Sequence, residues 1–266
     1  DHYEWIPTNE IARKSMAEKA RPDRALLDRQ YAEFEAALDE AGVVRHHLAP
    51  EAGLPYQVYT RDSSQMTPWG VTRTRLAMPQ RRGEHPSVDA FYAAAGIPAW
   101  GPEPGDMLEG GDIHVVRDGL LIVGYSGGRT SEAAAEVLAG AFRGEGWEAL
   151  TVGFEPRYLH LDVLFTMIAP GLALICPEAL PEGFAETLSA RGIRSISVSL
   201  PEALDDMACN VLALGDDRVL SPRHLARLNT ALRAEGLNIL DPELEAFSSG
   251  VGSAHCMTMP LRRAPD

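Results

Sequence analysis

Asp112-Ile113-His114-Val115-Val116-Arg117-Asp118-Gly119-Leu120-Leu121-Ile122-Val123 is the stretch that decides how this chain folds. Two runs rich in β-branched and aliphatic residues flank an Asp-Gly pair, the signal of a tight hairpin. Thr130 and Ser131 then stand ahead of Glu132-Ala133-Ala134-Ala135-Glu136-Val137-Leu138, a helical run with a hydroxyl cap. Gly144 and Gly146 end that helix, and residues 147–154 read as a third strand. The unit is therefore hairpin, helix, strand.

The same order recurs along the chain. Residues 163–176 form a hairpin about Pro170-Gly171, 181–191 a helix and 193–200 a strand. Residues 210–220 form a hairpin about Gly215-Asp216, followed by a helix over 222–235 and a strand over 237–240. Earlier, 56–78 carries a hairpin about Pro68-Trp69-Gly70, 86–95 a helix and 97–100 a strand. A fifth copy is split across the termini, pairing a strand over 255–261 with a helix over 24–40 and a strand over 43–48. Repeats bury their faces only against neighbours, so five units of roughly 45 residues predict a closed ring in a single domain over 1–266.

Composition narrows the function. Of 266 residues, 45% are hydrophobic and 23% charged, the profile of a globular protein. The formal net charge of −14 argues against nucleic acid, whose binders present basic surfaces to phosphate. The three cysteines, Cys176, Cys209 and Cys256, include no CxxC pair and make a poor disulfide framework, so a reducing, cytoplasmic setting is expected. The first ten residues lack the basic start and apolar stretch of a signal peptide. The most apolar window, 163–177, is broken by Pro170-Gly171 and is too short to span a bilayer, so no membrane partner is expected.

Residues with reactive side chains occupy the same place in successive units, at or just before the first strand. They are Asp62, Glu109, His160 with Asp162, and Cys256. In a ring, those first strands line the axis and bring the five side chains to one pocket. His160 and Asp162 are two apart, so on a strand they face the same side. Cys176 and Cys209 lie in apolar runs and read as core. Cys256 instead follows Gly250-Val251-Gly252, where glycines let the backbone turn sharply and a ligand approach. His255 is adjacent to Cys256 and points to the opposite face, so it is not taken as a base. Zinc binding by His160, Asp162, Glu109 and Cys256 is an alternative, although hard carboxylates with one thiol are a less usual set.

These motifs resemble those of the pentein, or guanidine-modifying, superfamily of five-bladed α/β propellers. Thr60-Arg61-Asp62, Glu109-Gly110-Gly111-Asp112, His160-Leu161-Asp162 and Cys256-Met257-Thr258-Met259-Pro260-Leu261 are similar to arginine deiminase motifs, in the same order. Gly124-Tyr125-Ser126-Gly127-Gly128-Arg129-Thr130 resembles a segment whose arginine binds the substrate carboxylate in deiminases and in dimethylarginine dimethylaminohydrolases. There are departures. Typical arginine deiminases are longer and carry an inserted helical domain. Dimethylarginine hydrolases usually have lysine at the place of Asp162 and an acidic residue at that of Arg61. His255 is more like agmatine deiminases and amidinotransferases, but the latter generally lack the Glu-Gly-Gly-Asp motif.

The resemblance implies a hydrolase acting on a guanidine C–N bond of arginine or an Nω-substituted arginine. Asp62 and Asp162 would hold the planar cation, Cys256 would attack its central carbon, His160 would shuttle protons, and Glu109 would orient His160. Arg129, with either Arg81 or Arg82, would bind the α-carboxylate of this small cationic substrate. No metal or cofactor is called for, since the electrophile arrives already cationic, and a homo-oligomer is compatible with this reading. Amidino transfer to an amine, a ring that binds without chemistry, and a cysteine peptidase are the competing readings. The last leaves Asp62 and Asp162 without a role.

Overall fold

The computed structural model describes residues 2–262. In chain order, helices α1 (Glu10–Glu18) and α2 (Arg24–Glu40) precede strands β1 (Ser64–Thr67) and β2 (Gly70–Arg73) and helix α3 (His85–Ala94). Strands β3 (Ile113–Arg117) and β4 (Leu120–Tyr125), helix α4 (Glu132–Gly144) and strand β5 (Glu148–Gly153) follow. Next come β6 (Phe165–Ala169), β7 (Leu172–Ile175), α5 (Phe184–Ser189), β8 (Arg194–Ser197) and α6 (Leu200–Asp205). The chain continues with β9 (Leu212–Gly215), β10 (Arg218–Leu220), α7 (Ala226–Ala234), β11 (Asn238–Leu240) and α8 (Glu245–Ser248). The architecture is mixed α/β, built as several small sheets.

Two compact units divide these elements. The first comprises the N-terminal residues through Glu4, His47–Asp162 and Cys256–Leu261. Its central sheet is ordered β3-β4-β5, with β3 antiparallel and β5 parallel to β4. A parallel neighbour needs a crossover, and α4 supplies it. Ser131 caps that helix by accepting from Ala134 N. Along α4, Ala134, Ala135, Leu138, Ala139 and Phe142 are buried against Ile113, Leu121 and Val123. Trp69 and Trp100 stack at 4.6 Å between ring centroids, and both meet the Phe142 ring edge-on. The β1–β2 hairpin packs with α3 through Val71, Val88 and Tyr92.

The second unit comprises Trp5–His46, Val163–His255 and the C-terminal end from Arg262. It repeats the module twice, as β6-β7-β8 with α5 and as β9-β10-β11 with α7, each with an antiparallel hairpin and a parallel third strand. The turn between β9 and β10 uses Asp216 and Asp217, at φ 49° and 55°, one residue beyond the predicted Gly215-Asp216 pair. Two successive positive φ angles make the hairpin turn that matches strand twist.

Three modules are thus complete as read from sequence, and two are not. In the 56–100 unit the third strand shrinks to an isolated parallel bridge between Val71 and Ala99. In the unit split across the termini only the helix forms. Residues 43–48 carry no strand; Arg45 binds Glu35 at 2.6 Å and Asp39 at 2.7 Å, which holds the segment to α2. Residues 255–261 are turn and irregular chain, since Cys256 O accepts from Arg61 N and Pro260 has no N–H for a ladder. The turn ahead of Cys256 takes its left-handed residue at Val251, φ 72°, where the glycines were expected to supply it.

Phe142→Ala empties the ring contact shared by Trp69, Trp100 and Trp147 and is expected to cost about 3–5 kcal/mol. A urea unfolding curve measures it; a loss below about 1 kcal/mol would contradict the packing described.

Candidate active site

The acidic and histidine residues of the site sit at short 3-10 turns ahead of hairpins, whereas Cys256 lies in turn and irregular chain. Asp62 lies within Thr60–Ser63, Glu109 just before Gly110–Asp112, and Asp162 within Leu161–Val163, with His160 preceding it. His160 and Asp162 are therefore not on a strand, and the shared-face expectation is corrected. The tight turn sends the two side chains to different partners.

His160 Nε2 meets Glu109 Oε2 at 2.7 Å, and His160 Nδ1 lies 3.6 Å from Asp62 Oδ1. Glu109 is fully buried; its Oε1 accepts from Ala77 N at 2.8 Å and its Oε2 lies 3.3 Å from Arg129 Nη1. Asp62 Oδ1 accepts from Gly111 N at 3.1 Å, and Asp62 Oδ2 pairs with Arg81 Nη1 at 2.5 Å. Glycine at 111 is what permits this closeness. A Cβ there would stand 2.8 Å from His160 Nδ1 and 2.9 Å from Asp62 Oδ1.

Burial alone would lower the pKa of His160, but Asp62, Glu109 and Asp112 together outweigh it and raise the value to about 9. For Glu109, burial pushes upward and is overcome by the hydrogen bond from His160 and the charges of Arg129 and Arg81, so its carboxyl stays ionised. Desolvation likewise opposes the charge on Arg81, yet Glu84 and Asp62 hold its pKa well above the ordinary value. The cluster is a buried ion network at neutral pH.

Asp162 and Cys256 form the second contact of the site. Cys256 Sγ donates to Asp162 Oδ2 at 3.3 Å, and both residues are buried. Cys256 O accepts from Arg61 N at 3.1 Å, which ties the cysteine segment to the turn carrying Asp62. Thus Asp62, Glu109 and His160 converge directly, while Cys256 joins through Asp162 and the Arg61 backbone. His255 N donates to Asn210 O at 3.2 Å.

Of the arginine pair, Arg81 is buried and Arg82 exposed, with Arg82 Nη2 donating to Ala77 O. Arg81 Nε and Nη2 grip Glu84 at 2.8 Å each, and Nη2 also donates to Tyr59 O at 3.0 Å. Glu84 and Asp112 were not singled out from sequence. The Arg81–Glu84 spacing of three carried a signal, since such residues neighbour each other on a helical turn. Asp112 lay inside a quoted motif without a role. Asp62, Glu109 and His160 present ligand-type atoms within 4.8 Å of one another, a tighter set than the four-residue zinc alternative. Arg81 and Arg129 already supply positive charge to those carboxylates.

The arginine deiminase family model matches residues 51–191 and 177–263, and the chain belongs to that family. Family membership places it among hydrolases acting on C–N bonds. The chain is 29% identical over 215 residues to uncharacterized protein YkgA of Bacillus subtilis (strain 168), covering 79% of this chain and 71% of that one. It is 28% identical over 248 residues to an arginine deiminase of Rhodococcus erythropolis, covering 80% of this chain but 61% of that enzyme, less than two thirds of its length. Among solved structures it is similar to the substrate-bound N-terminal domain of ArgZ, an arginine dihydrolase of Cyanobacteria. That likeness has a TM-score of 0.84 at 21% identity, over 99% of this chain and 96% of that one. A dimethylarginine dimethylaminohydrolase adduct matches with a TM-score of 0.77 at 21% identity, over 92% and 95%. These likenesses establish a pentein-like fold. Among the described residues no helix is long and apolar enough to cross a membrane.

The pKa shifts predict how stability varies with pH. His160, raised from 6.5 to about 9, contributes stability that is complete below pH 6.5 and is lost as pH rises through 9. Asp112 is also raised, to about 7, and its burial is a cost that grows from pH 3.8 and is complete above 7. Between pH 7 and 9 the loss therefore reports His160. The urea midpoint of the parent is expected to fall more over this interval than that of His160→Asn; equal falls would contradict the assignment.

Proposed function

We propose that this chain hydrolyses a guanidine C–N bond of arginine or an Nω-substituted arginine, giving citrulline and ammonia or an alkylamine. The observation that carries this reading is that one compact unit holds both a buried thiol on one carboxylate, Asp162, and a buried imidazole held between two others, Glu109 and Asp62. A guanidinium is planar and cationic, and carboxylates that accept its N–H groups fix it in place. Asp62 and Asp162 take that role. Carboxylate oxygens accept more than one hydrogen bond, so the Gly111 and Arg81 contacts leave Asp62 acceptor capacity. Arg129 serves as the cationic group for an α-carboxylate, while Arg81, whose Nε, Nη1 and Nη2 are engaged by Glu84, Asp62 and Tyr59 O, holds Asp62 in place instead of the α-carboxylate role expected from sequence.

Before substrate arrives, the Asp162 carboxylate beside Cys256 favours the neutral thiol. A docked guanidinium reverses that balance and the thiol releases its proton to solvent. The thiolate adds to the central guanidine carbon to give a tetrahedral adduct. His160, protonated at neutral pH, gives a proton to the leaving nitrogen; Nδ1, the ring atom not bonded to Glu109, has no hydrogen-bond partner among the described residues. Departure of the amine leaves a thiouronium on Cys256. Neutral His160 then takes a proton from water, whose hydroxide adds to the same carbon, and collapse expels the thiolate and leaves the ureido product as its hydroxyl proton passes to solvent. The imidazolium is restored. Glu109 keeps the ring oriented throughout and stabilises its charge.

The same reading includes closure of the repeated modules as a five-bladed ring in one domain over 1–266, supported by the three complete modules and the likeness to ArgZ. The test is incubation of the purified protein with arginine, monomethylarginine, dimethylarginine and agmatine, measuring ureido product. At least one arginine derivative should yield it, and Cys256→Ser should abolish turnover without unfolding the protein. Full activity in Cys256→Ser, or an amidino-acceptor product in place of a ureido product, would overturn the proposal.

A further inference from the structure

The backbone just before His160 adopts an unusual conformation. Leu159 has φ 71° and ψ −83°, and His160 N donates to Tyr158 O at 3.0 Å. An i→i+2 hydrogen bond with those angles is a γ-turn of the positive-φ kind, which is rare and strained for a residue with a Cβ. Such a conformation persists only where its surroundings over-determine it, and it clusters at functional sites. Here the surroundings are explicit. Tyr158, Leu159 and Leu161 are all buried, and Leu161 N donates to Asp112 Oδ1 at 2.7 Å.

Asp112 closes the same turn that begins at Glu109, with its own N–H donating to Glu109 O at 3.1 Å. One turn therefore grips the histidine segment twice. Glu109 holds the ring through Nε2, and Asp112 holds the backbone one residue further on. A strained turn on one side of His160 and a buried carboxyl on the other leave its Cα little freedom to relax.

We propose that Leu159 and Asp112 are positioning residues which together set the His160 ring against Glu109 and Asp62. The inference rests on the reading of His160 as the proton-transfer group, although its geometric content can be tested without turnover. Relaxing the γ-turn would let the backbone swing and carry the ring away from both carboxylates. The charged groups acting on that ring are Asp62, Glu109 and Asp112, with Arg81 and Arg129 bound to the first two.

The experiment compares Leu159→Gly, Asp112→Ala and Asp112→Asn with the parent. The His160 imidazole is titrated by NMR, assigned by its loss in His160→Asn, alongside kcat and KM for ureido formation. Glycine takes positive φ without penalty, so Leu159→Gly removes the strain and should fold. Asparagine keeps an acceptor for Leu161 N but loses the charge, whereas alanine loses both. The expected result for Leu159→Gly and Asp112→Ala is a His160 pKa falling from about 9 toward 6.5, with kcat down about tenfold to a hundredfold and KM little changed. Asp112→Asn should stay within about threefold of the parent in kcat. Folded Leu159→Gly with an unmoved His160 titration overturns the proposal, as does Asp112→Asn falling as far as Asp112→Ala. If no variant, the parent included, makes a ureido product, the hydrolase reading fails while the titration still decides the positioning.

Discussion

A histidine buried 2.7 Å from one carboxylate and 3.6 Å from another can stay charged only if nothing around it is free to move. Removing these charges from water is expensive, and close pairing offsets that cost only when geometry is held by further hydrogen bonds. Much of the local structure in the first unit serves that constraint. Glu109 is fixed from behind by Ala77 N and Arg129, Asp62 by Gly111 N and Arg81, and Arg81 by Glu84. Glu109 and Asp62 each accept from at least two donors, so no single side chain determines their positions alone.

The Glu-Gly-Gly-Asp motif shows how a short segment can carry several of these duties. Glu109 binds the imidazole, Gly111 donates to Asp62 and leaves space for both that imidazole and the Asp62 carboxylate, and Asp112 accepts from the backbone of the next segment. Replacing any one of them alters contacts that the others depend on. Cys256 touches Asp162 through its sulfur and the Asp62-bearing turn through its carbonyl.

Much of this was legible in the sequence because the modules obey local rules. The Asp118-Gly119 pair, the Ser131 cap and the alanine-rich face of α4 each name their own structure. Convergence of Asp62, Glu109 and His160 followed from their equivalent places in successive modules. What escaped was set by tertiary context. Residues 43–48 have strand-like composition, but the pairing of Arg45 with α2 decides their course. His160-Leu161-Asp162 looked like a strand by spacing, and a 3-10 turn held from Asp112 overrides that pattern. Neither the left-handed Leu159 nor the left-handed Val251 is signalled by residue type, since β-branched and bulky residues ordinarily avoid that region. Glu84 as the counter-ion of Arg81 was visible only as a spacing of three.

The proposed chemistry turns on a covalent bond from the sulfur of Cys256 to the guanidine carbon during turnover. Rapid acid quench of the parent enzyme with arginine labelled in its guanidine carbon, followed by peptide mapping, tests it most directly. Label is expected on the peptide that contains Cys256, appearing before ureido product accumulates. Product formation with no label on that peptide, or with label on the Cys176 or Cys209 peptide, would contradict it.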